Sequence, residues 1–118
     1  MSNKETRMLE VQSVLRQLGA TGKYLGYFYL AEGICRAMDD KSRLLAITKE
    51  IYQELAIRHH RTTGSVERNM RTVVHVVWKK KPGLMEEVTG YPFDERPSVG
   101  RFMGSVVESL DIREVQNL

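Results

Sequence analysis

The chain has 118 residues, the size of one ordinary domain, and its 42% hydrophobic and 28% charged residues are a balance that can bury a single core. A single cysteine, Cys35, excludes a disulfide framework and a thiolate-rich zinc site, so we expect a reduced intracellular setting with Cys35 as a small buried hydrophobe. The longest mostly apolar run, YLGYFYLAEGI, is too short to cross a bilayer, which predicts a cytoplasmic protein with no membrane partner.

Helices are predicted in chain order from apolar residues that recur every three or four positions. The first, in KETRMLEVQSVLRQLG, ends at Gly19 and has its apolar face at Met8, Val11, Val14, Leu15 and Leu18. The second spans roughly residues 24–38, with a buried side predicted at Leu25, Phe28, Tyr29 and Ile34. The third, in DDKSRLLAITKEIYQELAIRHH, is capped by Asp39 or Asp40 and has apolar positions at Leu44, Ile47, Ile51 and Leu55.

The second half of the chain begins after the break HHRTTG, where a helix starts near Thr63. Its segment TVVHVVW is rich in valine and leaves a strand as an alternative, but the periodicity in front of it favours a helix. After KKKPG come a short apolar piece at residues 84–88, the loop GYPFDERP and a last helix over residues 98–110, capped by Ser98. The sequence therefore predicts an all-α fold and a single domain over residues 1–118.

Positive charge is concentrated in residues 58–81, which contain seven Lys or Arg and one acid, Glu67. The net charge of the whole chain is +3, so this segment, at +6, is basic while the rest is mildly acidic. A basic segment on such a domain is typical of a surface that binds a polyanion.

The helix from Thr63 has two distinct faces. At about 100° per residue its basic side carries Arg68, Arg71, Thr72, His75 and Lys79. Its opposite, apolar side carries Val66, Met70, Val73, Val74 and Val77. A solvated amphipathic helix has the same pattern, but we expect no acid to pair with these arginines at i±4, which leaves the basic side unneutralised.

A short helix over residues 48–58 precedes this basic helix, and its Ala56 is small enough for close helix approach. Helix, tight turn and a second helix with a Thr cap predict a helix-turn-helix over about residues 48–79. Its second helix would contact bases through Glu67, Arg68, Arg71 and Thr72. Phosphate contacts are predicted at Arg58, Arg61, Thr62, Thr63, Ser65, His75, Lys79, Lys80 and Lys81.

Four segments carry a resemblance to a known family: GYFYLAEGI, LLAITKEIY, VERNMRTVVHVVW and RPSVGRFM. In order and spacing they resemble the C-terminal effector domain of stage 0 sporulation protein A, a sporulation response regulator, over about residues 10–112. The resemblance implies a compact domain of six helices that binds a TGTCGAA-like box on double-stranded DNA as a tandem homodimer. It assigns DNA contacts to Glu67, Arg68 and Arg71, whereas Thr72 stands where the family usually has histidine.

The same resemblance implies contact with an RNA polymerase sigma factor through a surface at Leu84, Glu86, Glu87, Val88 and Tyr91. The receiver domain that precedes this domain in the family is not present in the 118 residues, which fits either a trimmed regulator or an orphan effector domain. A transcription regulator of this type is expected in the cytoplasm, associated with the nucleoid.

Other functions have weaker support in the sequence. The adjacent imidazoles of RHHR, residues 58–61, point in different directions and lack a nearby third ligand, so no metal is predicted. Neither a nucleophile with its base nor a phosphate loop is recognisable, so we expect no enzyme and no cofactor. The alternative is a helical protein-interaction module, such as an antagonist of a full-length sporulation regulator, without specific DNA binding.

Overall fold

The computed structural model describes residues 3–81 and 83–116, so Pro82 and the ends of the predicted domain of residues 1–118 lie outside it. The all-α prediction is confirmed, since the described residues form helices and no strand. The α-helices are α1 (Lys4–Gln17), α2 (Leu25–Asp39), α3 (Gln53–His59), α4 (Thr63–Lys80), α5 (Leu84–Thr89) and α6 (Val99–Gln116). Between α2 and α3 lie a 3₁₀ helix, Lys41–Ala46, and a π turn, Thr48–Tyr52.

The prediction of six helices is wrong for the described residues. The π turn runs directly into α3, and the two together count as one helix. There are then seven helices, because the 3₁₀ helix forms a separate element. Asp40 causes the break: its backbone is extended, and its carboxylate accepts hydrogen bonds from the backbone N–H (3.0 Å) and the hydroxyl (2.6 Å) of Ser42. This cap starts a new short helix after α2 instead of the long third helix that the apolar spacing predicted.

Helix ends follow the predicted signals at two places. Gly19 has a φ of +94°, and the N–H groups of Gly19 and Ala20 close the end of α1 by donating to the carbonyls of Arg16 and Leu15 at 2.9 Å. This is the hydrogen-bond pattern of a glycine C-cap. Ser98 Oγ accepts from the backbone N–H of Arg101 at 3.2 Å and caps α6, which continues beyond the predicted end.

Helix α2 lies at the centre and contacts α1, α4 and α6. Its Gly26 touches α4 so closely that a Cβ there would lie 2.0 Å from the Asn69 carbonyl oxygen. Small residues thus determine which side of α2 faces inward, and the prediction that Leu25 and Phe28 are buried is wrong: they are 39% and 49% exposed. Cys35, also predicted buried, is half-buried, and burial raises the pKa of its thiol to about 11.

Candidate nucleic-acid interface

The junction between α3 and α4 is a turn of three residues, His60 to Thr62. His60 is left-handed (φ 55°), and its N–H donates to the Ile57 carbonyl at 3.4 Å while the Arg61 N–H donates to the Ala56 carbonyl at 2.8 Å. Thr62 Oγ1 then accepts from the Ser65 N–H at 3.1 Å and caps α4. Both helix ends are therefore hydrogen-bonded, and the turn holds α4 at a defined angle to α3.

The apolar side of α4 is buried as its periodicity predicted. Its five inward residues are each at most 1% exposed: Val66, Met70, Val73, Val74 and Val77. Ala56 of α3, which is 3% exposed, lies in the same core. The strand alternative for TVVHVVW is wrong, because the whole segment belongs to α4. Burial of one side fixes the rotation of α4 about its axis and so determines which side chains it presents.

The outward side of α4 lines a shallow groove of about 230 Å³, formed by Arg68, Arg71, Thr72, His75 and Arg96. Arg68, Arg71 and Thr72 are exposed, and His75 is half-buried. Arg96 comes from the loop before α6 and was not among the site residues predicted from the sequence. Its sequence signals were a basic residue directly before a proline and a place at the start of RPSVGRFM, and neither indicates the element that Arg96 contacts.

The expectation that no acid pairs with the basic side is wrong for Arg71. Glu67 lies one turn earlier on α4, and its carboxylate is 3.2 Å from the Arg71 guanidinium. Arg58 is paired too, at 3.1 Å from Glu32 of α2. The pairing of Arg58 depends on the packing of α2 against α3 and could not be found from charges along the chain. Burial, together with the nearby negative charge of Glu67, raises the pKa of Tyr52 to about 12.

Thr72 has its hydroxyl engaged within α4. Oγ1 donates to the Arg68 carbonyl at 3.0 Å, although the side chain is exposed. A threonine that bonds back to its own helix presents its methyl group outward. Thr72 therefore offers the groove an apolar contact in place of the polar reach that a histidine would have.

The predicted phosphate contacts at the far end of α4 have different surroundings. Lys79 is exposed, whereas the Lys80 ammonium lies 3.5 Å from the Gly19 carbonyl, beside the C-terminus of α1, where a cation is favourable. Lys81 is exposed with its ammonium 3.9 Å from Glu87. The turn before α4 is exposed at His60, Arg61 and Thr62. In the first turn of α4, two side chains are half-buried, Thr63 and Ser65.

A family model described as Sporulation initiation factor Spo0A C terminal matches residues 11–110. The chain belongs to this family. The Spo0A C-terminal family is the DNA-binding effector domain of the sporulation initiation factor and acts in transcription regulation; it is not known as an enzyme. The matched range starts in α1, ends in α6 and includes the turn, α4 and the Arg96 groove.

Only part of the surface that the resemblance assigned to sigma factor is exposed in this member of the Spo0A C-terminal family. Leu84 and Val88 of α5 are half-buried and pack against the core, whereas Glu86, Glu87 and Tyr91 are exposed. The exposed part of this surface is therefore acidic with one aromatic ring.

Two further properties concern the described residues alone. Among residues 3–81 and 83–116, no three His, Cys, Asp or Glu side chains are placed to hold a metal ion. His59 of the RHHR segment contacts Glu32 at 2.9 Å and lies beside the Tyr29 ring, with 5.4 Å between ring centroids.

In the same part of the Spo0A-type domain, no helix has the length and apolar character needed to cross a membrane.

Proposed function

We propose that the domain binds a short TGTCGAA-like box in double-stranded DNA, with the π turn, α3, the turn and α4 acting as a helix-turn-helix. The observation that carries this proposal is the fixed orientation of α4. Its valine side is buried against the core, its N-terminus is capped by Thr62, and the exposed side presents Arg68 and Arg71. A rigid basic helix of this kind fits the major groove.

Base recognition is assigned to the first turns of α4. Arg68 and Arg71 can each donate two hydrogen bonds to the O6 and N7 atoms of guanine, and Glu67 can accept one from the N4 amino group of cytosine. The charged groups of Glu67 and Arg71 are 3.2 Å apart, so α4 presents both side chains next to each other. The methyl group of Thr72 suits a contact with the methyl group of thymine.

Phosphate contacts are assigned to the two ends of the helix pair. Thr62 Oγ1 accepts the capping bond, so its own proton is free to be donated to a phosphate oxygen. Arg61 and Lys79 are exposed on either side of the base-contacting turns. The other proposed contacts are Arg58, Thr63, Ser65, His75, Lys80 and Lys81, of which Arg58, Lys80 and Lys81 must first leave their partners in the protein.

The partners proposed from the family resemblance are a second copy of the domain, arranged in tandem on DNA, and an RNA polymerase sigma factor. The exposed residues Glu86, Glu87 and Tyr91 form an acidic surface that suits a basic partner segment. A regulator with these partners acts in the cytoplasm at the nucleoid.

The proposed function is tested by gel-shift titration with a duplex that contains the box and a scrambled duplex of equal length, at several salt concentrations. We expect the box to bind about 10³-fold or more tightly than the scrambled duplex, and both affinities to fall steeply with salt. Equal affinity for the two duplexes would contradict the proposal and favour the protein-interaction module.

A further inference from the structure

The loop before α6 reaches the basic side of α4 through Arg96. The Nη1–H group of Arg96 donates a hydrogen bond to Nδ1 of His75, and both residues line the groove that also contains Arg68, Arg71 and Thr72. A second part of the chain, 21 residues further along, thus adds a cation to the surface that α4 presents.

The backbone on both sides of Arg96 is held in place. Pro97 follows it directly and is buried, and Ser98 caps α6. Earlier in the loop, the Phe93 ring lies 5.0 Å from the Tyr91 ring and 5.5 Å from the Arg101 guanidinium. A residue before proline is restricted to extended conformations, so the Arg96 side chain starts from a fixed point.

The contact with His75 has a chemical requirement. A guanidinium group has five N–H donors and no acceptor, so His75 Nδ1 must accept and its ring proton must lie on Nε2. Only one Arg96 donor is needed for this bond, which leaves the others for an anion. His75 therefore acts as a positioning residue that points a charged, multiply donating group along the groove.

We propose that Arg96, oriented by His75, binds a DNA phosphate at the edge of the major groove, so that the α5–α6 loop is a second element of the DNA interface. This inference rests on the proposed function of α4. Arg96 meets the helix at His75, seven residues after Arg68, which is a distance of about 10 Å along the axis. In a helix-turn-helix the first residues of the second helix contact bases, and later turns lie level with the sugar-phosphate backbone.

A phosphate fits this position better than a base for a further reason. Arginine binds phosphate oxygens through two parallel N–H groups, and such contacts fix the protein on the duplex without selecting a sequence. Arg96 is therefore expected to strengthen binding to every duplex by the same factor, unlike Arg68 and Arg71.

The experiment compares Arg96→Ala with Arg101→Ala in the full chain. Both substitutions remove one exposed arginine from the same part of the surface. Arg101 does not line the groove but contacts the Phe93 ring of the loop, so a loss shared by both variants would reflect the loop and not a phosphate contact. We expect Arg96→Ala to lower affinity for the box and for the scrambled duplex about tenfold each, and to reduce the slope of log affinity against log salt by about 0.9. Arg101→Ala should leave the slope nearly unchanged, and urea unfolding checks that both variants fold.

The role of His75 is tested by a double-mutant cycle. If His75 positions Arg96, then Arg96→Ala should cost much less in a His75→Ala background than in the original chain. Phosphate-ethylation interference supplies a readout that a purely structural role would not change: the original chain should be sensitive at one phosphate where Arg96→Ala is not.

Each outcome decides one question. If the original chain prefers the box but Arg96→Ala behaves like Arg101→Ala, the inference about Arg96 is wrong and the proposed function stands. A loss confined to the box would also overturn it, because Arg96 would then contact a base. If the original chain shows no preference for the box, the proposed function itself fails, and the inference fails with it.

Discussion

The closest contact between α2 and α4 makes Gly26 a sensitive position. Gly26→Ala would place a methyl group 2.0 Å from the Asn69 carbonyl oxygen and 2.9 Å from a methyl group of Val73. A Cβ atom practically never comes within 3.0 Å of a heavy atom outside its own helix, so the two helix backbones must separate by at least about 1 Å at this point. Because Asn69 contributes backbone here and cannot rotate away, we expect a loss of about 3 kcal/mol in the free energy of unfolding.

The assay is urea denaturation followed by circular dichroism. With an m-value of about 1.5 kcal/mol/M, a loss of this size lowers the midpoint by about 2 M. Gly104→Ala is the matched control, because a Cβ at Gly104 meets only a Leu44 methyl group at 3.9 Å. It should raise stability by about 0.5–1 kcal/mol through helix propensity alone.

The same two variants connect packing to DNA binding. Separation of α2 from α4 moves the exposed side of α4, so Gly26→Ala should also weaken box binding at temperatures where the variant remains folded, whereas Gly104→Ala should not. If Gly26→Ala is as stable as Gly104→Ala, the two backbones do not touch, and the explanation for the orientation of α4 is wrong.

Four other outcomes are expected. His60→Gly should raise the free energy of unfolding by about 0.5–1 kcal/mol, since glycine relieves left-handed strain at the turn but gains freedom in the unfolded chain; a lower urea midpoint would argue against that strain. Arg71→Ala should weaken box binding by about 1–3 kcal/mol with far less effect on scrambled DNA, and an equal loss on both duplexes would contradict its place in the groove. Thr72→His should strengthen box binding or sharpen the preference for the box, and no effect of the histidine would contradict the position of Thr72 at the DNA. Burial raises the pKa of Cys35 from 9.0 to about 11, so the contribution of the neutral thiol to the free energy of unfolding is complete below pH 9 and disappears as pH rises through 11. Cys35→Ala should therefore flatten the dependence of the free energy of unfolding on pH between 9 and 11. The same pH dependence in the variant and the original chain, measured by urea unfolding, would refute this role of Cys35.

The sequence predicted the two sides of α4, which depend on one helix alone, although it missed the ion pair between Glu67 and Arg71 on that same helix. The valine side of α4 and its basic side follow from a period of 3.6 residues, and all five inward residues were assigned correctly. Local hydrogen-bonding signals were reliable at Gly19 and Ser98, and Asp40, one of the two capping acids predicted, does cap a helix, because all three act through neighbouring backbone groups. The resemblance to the sporulation effector domain was confirmed by the family match over residues 11–110.

The tertiary structure alone decided which charges are paired between different elements and which loop joins α4. Arg58 is paired with Glu32, and Lys80 reaches Gly19 61 residues earlier, because packing of the helices brings these groups together. The pairing of Arg96 with His75 depends in the same way on how the loop returns to the start of α6. Periodicity describes one helix at a time, whereas the inward side of α2 was set by Gly26 against Asn69, a contact between two backbones. Close approach of that kind leaves no pattern in the apolar residues, and for this reason Leu25 and Phe28 were predicted on the wrong side.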